Sequence, residues 1–157
     1  MKIAGLLAPL AGAWVGINRL WFLPTDPPFE SATTLALEPV AQGVVTLIRY
    51  TWSHDGAPQA GVILVPHAAT TPEQDALTWI DSFHTGGTFT HFRGGLTDGG
   101  GLSVLGAYAA PEGPPWGWRI TLEPDEGEAI TLRMYNITPE GEEMLAVEAG
   151  YTRSSGS

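Results

Sequence analysis

At 157 residues the chain is sized for one domain, with a core large enough to need no staples. It carries no cysteine, which excludes disulfides and thiolate metal sites. Seven Lys and Arg against seventeen Asp and Glu give a formal net charge of −10. That sign argues against nucleic acid and anionic membrane surfaces, both of which need a basic footprint.

Residues 3–11 place Ile3, Leu6, Leu7 and Leu10 at helical spacing, with Pro9 limiting the run. One or two helical turns are predicted there, acting as a plug or lid. The same stretch imitates a short secretory signal. Its single positive charge, the interruption at Pro9 and the loss of strand lead-in on cleavage after Ala13 favour a cytoplasmic protein instead. No segment approaches the ~20 apolar residues of a membrane-spanning helix.

From Trp14 onward, short alternating segments recur between turn formers, the one-dimensional form of an antiparallel sandwich or barrel. Strands are predicted at Trp14–Leu23, Ser31–Glu38, Val44–Trp52, Ala60–Val65, Leu77–Phe83, Thr88–Arg93, Leu102–Ala109, Trp116–Glu123, Ala129–Ile137 and Glu143–Thr152. Pro24 to Pro28 cannot sustain a ladder and reads as a rigid loop. Thr71-Pro72-Glu73 can start a short helix, and Gly86-Gly87 fits a two-residue hairpin. The domain spans residues 1–153, with a disordered tail at 154–157. Along Trp116–Glu123 one face is apolar and the other polar, whereas Val44–Trp52 mixes both kinds on both faces. Mixed lining suits a lumen that holds a ligand better than a solid sandwich core.

Six arginines, at positions 19, 49, 93, 119, 133 and 153, fall in or at the ends of strands. Pointing inward, they would hold an anionic head group; pointing outward, they would pair with the abundant carboxylates. Arg133 shares a face with Tyr135, and Tyr151 with Arg153, so these four are candidates for the polar end of a binding site. Trp14, Trp79 and Trp118 are candidates for its lining or floor. If Gly86-Gly87 centres a hairpin, His91 opposes Ser82 and lies diagonal to His84, with Asp81 on the other face. That spacing supports no metal site. Gly99-Gly100-Gly101 precedes a strand and therefore lacks the context of a phosphate loop.

The succession Leu10-Ala11-Gly12-Ala13-Trp14-Val15-Gly16, Trp79-Ile80-Asp81-Ser82-Phe83, Asp98-Gly99, Leu102-Ser103-Val104-Leu105-Gly106 and Tyr151-Thr152-Arg153 resembles the DUF1579 family, grouped with lipocalin-like and fatty-acid-binding-protein-like barrels of the calycin kind. The resemblance implies an all-β, ten-stranded antiparallel up-and-down barrel opening at Gly12-x-Trp14-x-Gly16, and it brings no catalytic residues. Nitrobindin-like barrels share the opening signature and a Pro-Thr pair, here Pro24-Thr25. No histidine follows His91 to ligate iron, so no cofactor is expected. Arg133-x-Tyr135 is similar to the carboxylate clamp of fatty-acid carriers, displaced to the penultimate strand.

The leading expectation is a barrel that binds a small hydrophobic or amphipathic molecule, anions included, in its lumen. The rivals are an enzyme using Asp81, His84 or His91 as acid or base, and a filled barrel whose partner is another protein, a second copy of itself included.

Overall fold

The structure is a computed structural model that describes residues 2–68, 71–125 and 128–154. Within these, α1 (Ile3–Leu7) and a 3-10 turn (Ala8–Leu10) lead into ten strands: β1 (Gly12–Leu20), β2 (Phe29–Val40), β3 (Val45–His54), β4 (Ala57–Pro66), β5 (Leu77–Asp81), β6 (Thr90–Leu96), β7 (Leu102–Tyr108), β8 (Trp116–Asp125), β9 (Ala129–Ile137) and β10 (Glu143–Arg153). Each strand bonds antiparallel to its neighbours in sequence and β1 bonds to β10, so the meander closes into a barrel. All ten predicted strands exist, with ends moved by a few residues. The tail at 155–157 and the connector residues Glu126 and Gly127 lie outside the described residues.

Two expected local features differ. At Thr71–Glu73 there is a single turn rather than a helix: the Gln74 N–H donates to the Thr71 carbonyl at 3.0 Å, and the Gln74 side chain accepts the Thr71 N–H at 2.9 Å. The Gly86-Gly87 hairpin is replaced by a longer loop over residues 82–89.

Alternation sorts the faces as period two demands. Along β8, Trp118, Ile120 and Leu122 are buried while Arg119, Thr121 and Glu123 are not. The closing seam needs Gly16, which opposes Tyr151; a Cβ there would overlap the Gly150 carbonyl, so only glycine lets β1 approach β10 this closely.

The two barrel ends differ. α1 and the 3-10 turn close one of them by burying Leu6, Leu7 and Leu10, worth about 1.5–3 kcal/mol per side chain. Trp14 donates its indole N–H to the Leu10 carbonyl at 2.9 Å. The lumen near this end is solid, packed with Leu37, Val65, Leu122 and Ile130. The other end, ringed by the loops after β1, β3, β5, β7 and β9, is open. Among the described residues no helix is long and apolar enough to cross a membrane.

Candidate functional site

Asp81 ends β5 on the inner face, 3 % exposed. Its Oδ1 accepts the N–H groups of Phe83 at 2.5 Å and His84 at 2.7 Å, while its own N–H donates to Thr85 Oγ1 at 3.0 Å. An aspartate that captures the following amides makes a turn of its own, and here it takes the chain off the ladder before Gly86. His84 is thereby swung inward. β6 consequently pairs with β5 in another register than expected: His91 opposes Thr78 and faces outward, hydrogen-bonded to Thr78 Oγ1 at 3.0 Å. His84 and His91 therefore do not share a face, and Asp81 sits beside His84 rather than opposite it.

The second carboxylate oxygen accepts the Tyr50 hydroxyl, which in turn accepts the Trp79 indole N–H at 2.8 Å. Burial pushes the Asp81 carboxyl up. The neighbouring His84 side chain, the Tyr50 hydroxyl and the His84 N–H outweigh that effect and hold it below the usual carboxylate range. Tyr50 moves the other way, because burial and then the Asp81 charge raise its phenol well above the ordinary value. Asp81 is thus an ionised carboxylate and Tyr50 a neutral donor at neutral pH.

The His84 ring lies among four aromatic rings, with centroids 4.9 Å from Phe83, 5.4 Å from Trp118, 5.6 Å from Trp52 and 5.9 Å from Trp79. Its Nδ1 is 3.4 Å from Asp81 Oδ1, near enough for charge pairing but off-axis for a hydrogen bond. Among the described residues, neither ring nitrogen of His84 has a hydrogen-bond partner, and neither does the Trp118 indole nitrogen. Trp79 and Trp118 stack at 5.6 Å with 14° between their planes.

Above this cluster the open barrel end holds a cleft of about 650 Å³, bounded by Leu20, Phe22, Trp79, His84, Tyr108, Trp118 and Asn136 among others. The size is that of a small-molecule site, and its lining sets aromatic walls against polar groups from His84, Thr85, Thr88, Thr90, Tyr108 and Asn136. Tyr108 donates to Asn136 Oδ1 at 2.5 Å on its rim. Beneath His84 lies a second void of about 10 Å³ between Asn18, Tyr50, Trp52 and Tyr151, close to one water in size. The imidazole separates the two spaces. Among the described residues, no Lys or Arg lines either.

Of the residues singled out from sequence, Trp79 and Trp118 meet in the cleft wall. Tyr151 lies deeper, its hydroxyl 3.0 Å from Thr33 Oγ1. Trp14 and Arg153 are at the closed end, the guanidinium 4.4 Å above the indole. Arg133 and Tyr135 correct the expectation outright. They alternate with buried Leu132 and Met134, so they face away from the lumen, and Arg133 pairs with Glu148 at 2.8 Å. The residues that sequence reasoning missed are Trp52, Phe83, Tyr108 and Asn136. Period two carried a signal for three of them, since Trp52 shares a face with Tyr50, Tyr108 with Val104 and Asn136 with Met134; Phe83, in the loop after β5, gave none.

Asp81 and His84 have the parts of an acid–base pair, yet aromatic rings enclose the imidazole nitrogens and no hydroxyl bonds to them. Among the described residues, no group of three His, Asp or Glu stands ready for a metal ion.

A family model described as "Protein of unknown function (DUF1579)" matches residues 4–153. The crystal structure of Rv2717c from M. tuberculosis superposes with a TM-score of 0.59 at 13 % identity, over 98 % of this chain and 99 % of that one. At that identity the likeness concerns the fold alone. No curated protein matches the sequence.

Proposed function

We propose that this chain, which belongs to the DUF1579 family, is a calycin-type barrel that binds a small amphipathic molecule in the cleft at its open end. One observation carries the reading: an aromatic cleft of about 650 Å³ sits directly over buried polar groups that lack partners. Native proteins leave few such groups unpaired, so a cluster of them beside a cavity marks where a bound ligand changes what they face. The site differs from the one expected, because the Arg133–Tyr135 clamp faces outward. A second reading, an acid–base enzyme, is favoured by the Asp81–His84 pair alone, with His91 excluded by its outward position.

Native mass spectrometry of protein purified from its own host tests the proposal. A co-purifying small molecule that is lost in a Trp79→Ala variant supports it. A bare chain, with tryptophan fluorescence unmoved by fatty acids, fatty amines and aromatic acids alike, refutes it.

A further inference from the structure

We propose that the polar end of the cleft's ligand is an organic cation, an amine or quaternary ammonium group, and that it seats in the aromatic box now filled by the His84 ring. The inference rests on the cleft reading above and names the chemistry of its ligand.

The box has the dimensions within which cation–π attraction operates. Four rings, those of Trp52, Trp79, Phe83 and Trp118, stand with centroids 4.9–5.9 Å from the imidazole centre. Cation–π attraction operates within about 6 Å of a ring centroid and is strongest for Trp. A carboxylate completes the box: Asp81 Oδ1 is 3.4 Å from His84 Nδ1. The Asp81 side chain is fully buried, so its charge acts in a medium that screens it little.

The present occupant is poorly fixed. An imidazole needs partners at both nitrogens, and His84 has none at either among the described residues. It is carried on the loop over residues 82–89, not on a strand, and Gly86 and Gly87 beside it leave open space around their α-carbons. Rotation of His84 toward the cleft would expose its nitrogens to water and vacate the box for a ligand ammonium. An anionic head group finds the opposite environment. Every Arg described lies on the outer wall or at the closed end, so a carboxylate placed here would meet Asp81 without a countercharge.

Isothermal titration calorimetry of the full chain against decyltrimethylammonium, decanoate and decanol separates the cases, since the three share a tail and differ in head group. Decyltrimethylammonium is expected to bind about tenfold tighter than either of the others. The His84→Ala substitution, which empties the box, is expected to raise that affinity several-fold and leave decanol unchanged. Asp81→Asn lowers the ammonium affinity; the gain in His84→Ala keeps the test decisive if Asp81→Asn fails to fold. Tighter or equal binding of decanoate overturns the cation assignment while the cleft reading stands. So does an equal gain for all three probes in His84→Ala, or an unchanged ammonium affinity there. No binding by any probe overturns both.

Discussion

The Tyr50 hydroxyl reaches the Asp81 carboxylate across an intervening strand because the residue between them is Gly61. Tyr50 opposes Gly61 in the β3–β4 ladder, and Gly61 opposes Asp81 in β4–β5, so the three form one row on the inner wall. A Cβ on Gly61 would overlap the Tyr50 ring. A missing side chain in the middle strand therefore lets a phenol cross it, and the phenol links Trp79 to the carboxylate that shapes the loop carrying His84.

Gly61→Ala accordingly displaces Tyr50 and is expected to cost about 1–3 kcal/mol, the usual range for overpacking a filled core. Urea denaturation measures it. The cost depends on the Tyr50 ring, so in a Tyr50→Ala background the same substitution is expected to cost much less. An equal cost in both backgrounds would show that the glycine serves the strand and not the tyrosine.

Acid acts through Asp81. Its folded carboxyl sits below the usual range, so ionisation stabilises the fold above the unfolded value of about 3.9, and that contribution is lost as pH falls through the lower folded value. The stability gap between the wild type and Asp81→Asn is expected to be full near neutrality and to narrow below about pH 4. A gap independent of pH would assign the loss to packing.

Alkali acts through Tyr151. Burial, partly offset by its bond to Thr33, raises its phenol to about 12. The folded state therefore keeps a proton that the unfolded chain gives up near pH 10, worth about 2–3 kcal/mol. That stability is present below pH 10 and lost as pH climbs toward about 12. Tyr151→Phe is expected to flatten this part of the stability profile, with Tyr50 left to account for the remaining slope. An unaltered profile would place Tyr151 in contact with solvent.

The barrel was legible because its code is local. Period-two burial and proline- or glycine-bearing connectors mark each strand, and β9 was bounded at Ala129 and Ile137 from pattern alone. The site was not, for two reasons. Both faces of β9 carry apolar groups, so its pattern left open whether Arg133 or Met134 turned inward; the buried side proved to be Leu132 and Met134. The turn after β5 is made by the Asp81 side chain rather than by backbone preference, and a glycine pair five residues later concealed it. Side-chain capture of backbone amides depends on burial that no short window of sequence displays.

Arg133 supplies a control for the binding proposal. Its pairing with Glu148 at 2.8 Å and Glu123 at 3.8 Å is on the outer wall, where ion pairs contribute under about 1 kcal/mol. Arg133→Ala is expected to fold with nearly unchanged stability and to bind every cleft ligand as the wild type does. A loss of binding with stability intact would restore the arginine clamp and displace the aromatic box.

Arg153 holds the closed end shut by tying the segment before β1 to the connector between β8 and β9. The guanidinium donates to the carbonyls of Pro9 at 2.6 Å and Ala11 at 2.8 Å, covers the Trp14 ring, and bonds to Glu128 at 2.9 Å. Charge-assisted bonds to carbonyls and a stacked cation are together worth about 1–3 kcal/mol at a half-exposed site. Arg153→Ala is expected to lose that amount and to release α1 ahead of the barrel, because the leucines of α1 are the plug and the arginine is its latch. Arg153→Lys does not rescue it, since an ammonium cannot present two parallel donors to two carbonyls while lying flat on an indole. Amide hydrogen exchange reads the outcome: in Arg153→Ala the amides of residues 6–8 lose protection while those of β3 and β8 keep it. Uniform loss across helix and strands would mean that the plug and the barrel unfold as one unit, and that Arg153 stabilises the whole rather than its end.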